Sequence, residues 1–175
     1  MEISPTERLI ITMLCDLQIA NNVRGEVDPN LVKSAVIRGH DWMFNWEYEG
    51  IVGPESDNDE LPGEVADILD MWSIIEVGFA RLSEEDQERV RTEAELRGDP
   101  QFTGFDGNNE TDHFAAARFM VNQMGRFTEF ADRTLNSHGA RLERYRAMYR
   151  QFRPIRDGLG DRMMNVEELV TLLKR

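Results

Sequence analysis

Helix-start signals recur along this chain, and no stretch of useful length alternates apolar with polar residues as a half-buried strand would. No other feature constrains the fold as much. Ser4-Pro5-Thr6-Glu7 is a capping box with proline at the first helical position, where its missing N–H costs nothing. Leu9, Ile10, Met13, Leu14 and Leu17 follow at helical spacing, and Asn21-Asn22 ends the run. Asp28-Pro29 starts a second helix in the same way, with Leu31, Val32, Ala35 and Val36 as its face. Gly39 interrupts it before the aromatics Trp42, Phe44, Trp46 and Tyr48. Pro62 opens a third helix, in which Val65, Ile68, Leu69, Trp72, Ile75, Phe79 and Leu82 keep the 3.6-residue period. Met71, Ile74 and Val77 give that helix a second apolar face, so it is expected to be central and covered on several sides.

Ser83-Glu84-Glu85 begins a charged helix with few apolar residues, a surface element that Gly98-Asp99-Pro100 ends. A long helix is expected over about 110–130 and another over about 140–152, with Pro154, Gly158 and Gly160 as the next break. Asn165, with Glu168 three residues on, caps a short final helix through Leu169, Leu172 and Leu173. At 175 residues the chain is long enough for one domain with a proper core. The expectation is an all-α, single-domain helical bundle of about six to eight helices spanning 1–175, with an acidic, solvated loop at about 50–63.

Charge excludes some partners. With 20 basic against 33 acidic residues, the formal net charge is -13. Nucleic-acid binders neutralise phosphates with Lys and Arg, so direct nucleic-acid binding is disfavoured, as is docking on an anionic membrane. The most apolar stretch, 68–82, falls short of the ~20 residues a membrane span needs and is broken by Asp70, Glu76 and Arg81. No basic patch precedes an apolar run at the N-terminus, so a secretory signal is not read there. These features point to the cytoplasm. The charges are also segregated. Eleven carboxylates and no Lys or Arg lie between His40 and Phe79, while 141–156 holds six arginines and one acid, Glu143. The basic segment is expected to serve as a counter-surface for the acidic one.

Chemistry-bearing motifs are scarce. Cys15 is the single cysteine, inside an apolar run, and reads as a buried, inert small hydrophobe. His40, His113 and His138 lie in unrelated contexts, and no phosphate loop, zinc motif or nucleophile elbow is present. Asp106-Gly107-Asn108-Asn109 lacks the ligand spacing of a calcium loop. No cofactor or metal is expected, and the balance leans away from an enzyme.

The richest stretch is 102–130. Phe102-Thr103-Gly104-Phe105-Asp106-Gly107 puts two aromatics around a glycine. Gly104 and Gly107 are expected to supply unusual backbone angles, the phenylalanines to plug the core, and Asp106 or a nearby Asn to cap the next helix. Beyond it, Arg118, Asn122 and Arg126 are spaced four apart and would stack on one face of a continuous helix. Two arginines around an amide suit a small anionic ligand. The competing expectation pairs them with the protein's own acids, Asp106 being the nearest.

The residues Phe102–Asp106, Arg118–Asn122 and Gly125–Thr128 resemble the YfbU family of uncharacterised bacterial proteins. So do Glu7–Ile10, the third helix around Ile68 to Val77, and Tyr145–Met148, so the resemblance covers almost the whole chain. It implies a mostly helical fold and no established activity. Some relatives carry a helix-turn-helix segment beside this domain; this chain begins directly at the domain. The expected function is therefore a non-enzymatic interaction or small-ligand-binding domain that assembles as a homo-oligomer. Two alternatives are a hydrolase or transferase holding an anionic substrate with Arg118, Asn122 and Arg126, and a sensor domain working with a separate DNA-binding partner.

Overall fold

Residues 3–52 and 60–174 are described by a computed structural model. Among them are eight α-helices: α1 (Pro5–Ala20), α2 (Pro29–Arg38), α3 (Met43–Val52), α4 (Glu60–Ala80), α5 (Glu84–Glu93), α6 (Thr111–Asn122), α7 (Leu142–Leu159) and α8 (Val166–Leu173). A 3-10 turn covers Thr128–Phe130. The described residues contain no strand, only an isolated parallel bridge between Phe105 and Asn136. The class is all-α, as expected. Most of the expected acidic loop, 53–59, lies outside the described residues, while Gly50 to Val52 are helical in α3 and Glu60 to Gly63 in α4. The chain groups into two compact units, Met1–Pro62 and Gly63–Arg175.

In the first unit the caps form where the sequence places them. Ser4 and Glu7 close the capping box of α1, Asp28 caps α2 beside Pro29, and Gly39 ends α2 in the left-handed conformation. α1 packs on α2. The Arg8 guanidinium donates to the Val36 carbonyl at 2.8 Å and pairs with Asp41. Cys15 is buried, and burial pushes its thiol pKa up, which fits an inert packing role. The aromatic cluster after Gly39 forms α3, broken by non-helical backbone at Tyr48.

The second unit is built around α4. Val65, Ile68, Leu69, Met71, Trp72, Ile75 and Phe79 are buried along it, while Val77 is left 40% exposed. Phe102, Phe105, Phe130 and Tyr145 gather with Trp72, ring centroids 5.3 to 6.2 Å apart. Such spacings are those of favourable edge and tilted aromatic pairs. Phe105 is buried, as the sequence implies, and so is Phe119. The aromatic turn is held against the segment before α7, where the Phe105 amide donates to Leu135 and its carbonyl accepts from Ser137, both at 3.0 Å. Gly104 has φ +90°, and a Cβ there would lie 1.9 Å from the Leu135 carbonyl oxygen, so glycine is required twice over. Gly107 has no positive φ, and a Cβ there would press at 2.9 Å on the Asn136 side-chain amide, which would have to shift.

Three expectations are corrected here. Asp106 does not cap α6: its carboxylate closes its own turn, accepting from the Asn108 amide at 3.0 Å and the Asn109 side chain at 2.6 Å. The buried Glu110 instead joins the two helices. It stands at the N-cap position of α6, while its Oε1 accepts from the first amides of α7, Arg141 and Leu142, both at 2.7 Å. Its other oxygen accepts from the Asp106 amide at 2.8 Å. α6 stops at Asn122 rather than continuing to 130, because Gly125 (φ +64°) and Phe127 (φ +51°) turn left-handed. The amides of Met124 and Arg126 close that end on Phe119 and Met120. α7 runs on through Pro154 to Leu159, giving up one N–H without ending.

Candidate functional site

The ladder read from sequence does not form one. With α6 ending at Asn122, Arg126 lies past the helix and out of its 3.6-residue register. Arg118 and Asn122 remain one turn apart, both exposed. Arg118 lies over the Phe114 ring at 5.5 Å and makes no ion pair among the described residues. Asp106 precedes α6, whereas Arg118 sits about 12 Å along it from Glu110 at 1.5 Å per residue, so the expected Arg118–Asp106 pairing is absent. Asp106's hydrogen bonds to Asn109 and Asn108 hold its carboxyl pKa below the usual range.

The counter-surface expectation fares better. Arg146 on α7 grips Glu64 on α4 with two N–H bonds of 2.6 and 2.8 Å, and Arg156 reaches Asp70 at 3.0 Å. Arg133 clamps Glu76 with bonds of 2.7 and 2.6 Å. His113 on α6 adds a 2.7 Å contact to Glu64. The Arg146 hydrogen bonds, helped by His113, pull the Glu64 carboxyl down to about 2. A carboxylate that acidic stays ionised near neutral pH and is itself a poor general base, and through it the His–Glu–Arg group fastens three helices.

The surface that stands apart is on α1. Its Arg8, Ile11, Thr12 and Cys15 turn inward at positions i, i+3, i+4 and i+7. On the opposite side Leu9, Ile10, Met13, Leu14 and Leu17 are 51 to 62% exposed. The sequence reading set these five at helical spacing, and the structure turns them to the outside. A signal was available, since the inward set has an equally good helical spacing. Every charge on α1 is engaged inside its unit: Glu7 in the capping box, Arg8 with Asp41, and Asp16 with Lys33. What remains outward is an uncharged apolar strip on a 16-residue helix about 24 Å long. Ile19 and Ile37, which line an open groove of about 440 Å³ between α1 and α2, are 41% and 64% exposed. An apolar strip of this extent carries no reactive chemistry and suits helix-against-helix contact.

Comparison with known proteins places the chain in a family without an assigned chemistry. The YfbU domain matches residues 1–173. Among curated proteins, UPF0304 protein MJECS11 of Methanocaldococcus jannaschii is 32% identical over 99 residues, which is 51% of this chain and 56% of that protein. The matched stretch spans little more than half the relative's length. No solved structure matches.

Proposed function

This chain belongs to the YfbU family, and from that premise we propose that it is a non-enzymatic interaction domain that pairs with a second copy of itself through α1. The observation that carries the reading is the uncharged strip Leu9, Ile10, Met13, Leu14 and Leu17. A two-fold contact must be self-complementary. Leu9 and Leu17 lie four residues either side of Met13, so antiparallel strips with Met13 at the axis set leucine against leucine. With no charge on the strip, no like charges are brought together at its centre, despite a net charge of -13 on each chain. Half-exposed Leu, Ile and Met side chains each return about 1 kcal/mol on burial, so the strip has real driving force for association. The same proposal places the domain in the cytoplasm.

Sedimentation equilibrium tests this with the parent and a Leu9→Lys/Met13→Lys variant. The parent should self-associate as concentration rises, and the variant should remain monomeric with an unchanged far-ultraviolet circular dichroism spectrum. A parent that stays monomeric at high concentration removes the self-pairing. A variant that still pairs moves the interface off α1.

A small anion at Arg118 and Asn122 is a secondary proposal, favoured by the exposure of both groups on adjacent turns. Arg126 and Asp106 complete the set drawn from the sequence, with Asp106 tied into its own turn. Phosphate titration of the parent and Arg118→Gln tests it. Equal, non-saturating responses in the two proteins would remove this site.

A further inference from the structure

A second pocket lies in the unit 63–175, between the loop after α5, the start of α7 and the end of α8. It encloses about 300 Å³, at the small end of ligand cavities. Trp72, Leu96, Pro100 and Leu173 supply apolar walls, and Arg97, Arg141 and Arg144 bring three guanidinium groups to it. Two of them, Arg97 and Arg141, are exposed there. The carboxylate lining the pocket, Asp99, is committed to Arg91 at 2.8 Å. Arg144 donates to the Leu173 carbonyl at 3.0 Å, which steadies the mouth. Arg97 and Arg141 make no ion pair among the described residues, in a chain with 33 acids to choose from. Glu110 lies close to Arg141 but spends one carboxylate oxygen on the amides of Arg141 and Leu142 and the other on the Asp106 amide.

One of the lining residues, Trp72, also carries an orphaned donor beneath the pocket wall. Trp72 is 5% exposed, and its indole Nε1–H has no acceptor. Buried N–H groups are nearly always satisfied, and leaving one unpaired is costly. Tyr145 cannot supply the acceptor cheaply, since its hydroxyl is already shared between Thr103 and the Gly104 carbonyl, each at 3.1 Å. The pocket therefore joins a donor-rich, cationic rim to a wall made partly of an indole ring.

We propose that this pocket binds a small organic oxyanion, a carboxylate or phosphate ester carrying a flat apolar group, with Arg97 and Arg141 holding the oxygens and Trp72 bordering the apolar part. The volume admits a single ring with its charged substituent. Guanidinium groups suit either oxyanion, because both accept paired N–H bonds.

Phenyl phosphate and benzoate serve as probes, one for each chemistry, with chloride at equal ionic strength as control. The readout is the Trp72 indole N–H resonance in ¹H–¹⁵N spectra of the full chain, assigned with Trp72→Phe. One probe or both should shift that resonance saturably, and the better one identifies the oxyanion. Arg97→Gln and Arg141→Gln should each weaken the saturable response about tenfold while melting like the parent. If Arg141→Gln melts lower, the exposed Arg97→Gln carries the comparison alone. Neither probe giving a saturable shift overturns the proposal. So does a saturable shift that Arg97→Gln leaves unchanged.

Discussion

Phe105 and Gly104 show how much one residue can decide. Phe105 is fully buried, packed on Phe102, Tyr145 and His113. Its replacement by alanine should cost about 3–5 kcal/mol in chemical denaturation. A change below about 1 kcal/mol would mean that the ring is not part of the core. Gly104→Ala should be worse per atom added, because the new methyl meets a backbone carbonyl that has no rotamer to yield. Arg118→Gln should behave in the opposite way. An exposed guanidinium over the half-buried Phe114 ring is worth about 0.5–1 kcal/mol, so its melting temperature should stay close to the parent's.

At the scale of elements, Glu64 joins α4 to α6 and α7. Its carboxyl is pulled from 4.5 to about 2 in the folded protein, so the folded state binds its proton more weakly than the unfolded state does. That contribution is fully present above pH 4.5 and is lost as pH falls toward 2. Glu64→Gln should therefore destabilise by about 1–3 kcal/mol at neutral pH, toward the lower end because the carboxylate is partly exposed. The gap should close in denaturation series run down to acid pH. A gap that persists undiminished at low pH would assign the loss to packing. Helix starts were legible in the sequence because a cap is local: Ser4, Asp28, Ser83 and Asn165 each bond an amide two or three residues on. Helix ends were less so. α6 ends on left-handed backbone at Gly125 and Phe127, and α7 survives Pro154, both decided by packing outside the window of a sequence pattern. The Arg118–Asn122–Arg126 set failed for that reason, its spacing having meaning only while the helix continues. The α1 strip was visible as a strip. Which side faced water was not, since both sides of the helix carry a regular inward-capable spacing.

The whole molecule is governed by its charge. Two chains that each carry -13 repel over a distance comparable to the Debye length, about 8–10 Å at moderate salt. Apolar pairing through α1 should thus strengthen as salt rises, while an oxyanion held by Arg97 and Arg141 should bind more weakly. Opposite salt slopes in sedimentation and in probe titration would separate the two activities within one preparation. Parallel slopes would mean that pairing is held by charges rather than by the strip.

Cys15 turns the packing of α1 into a clock. It is the chain's one thiol, and it lies on the side of the helix opposite the apolar strip. A thiol-specific reagent can reach it only when the helix lifts, and its raised pKa keeps the background rate low. The labelling rate of the unmodified protein therefore reads the frequency of local opening, without an engineered probe. Because a second copy lying on the strip would have to leave or move before the helix lifts, that rate should fall as protein concentration increases.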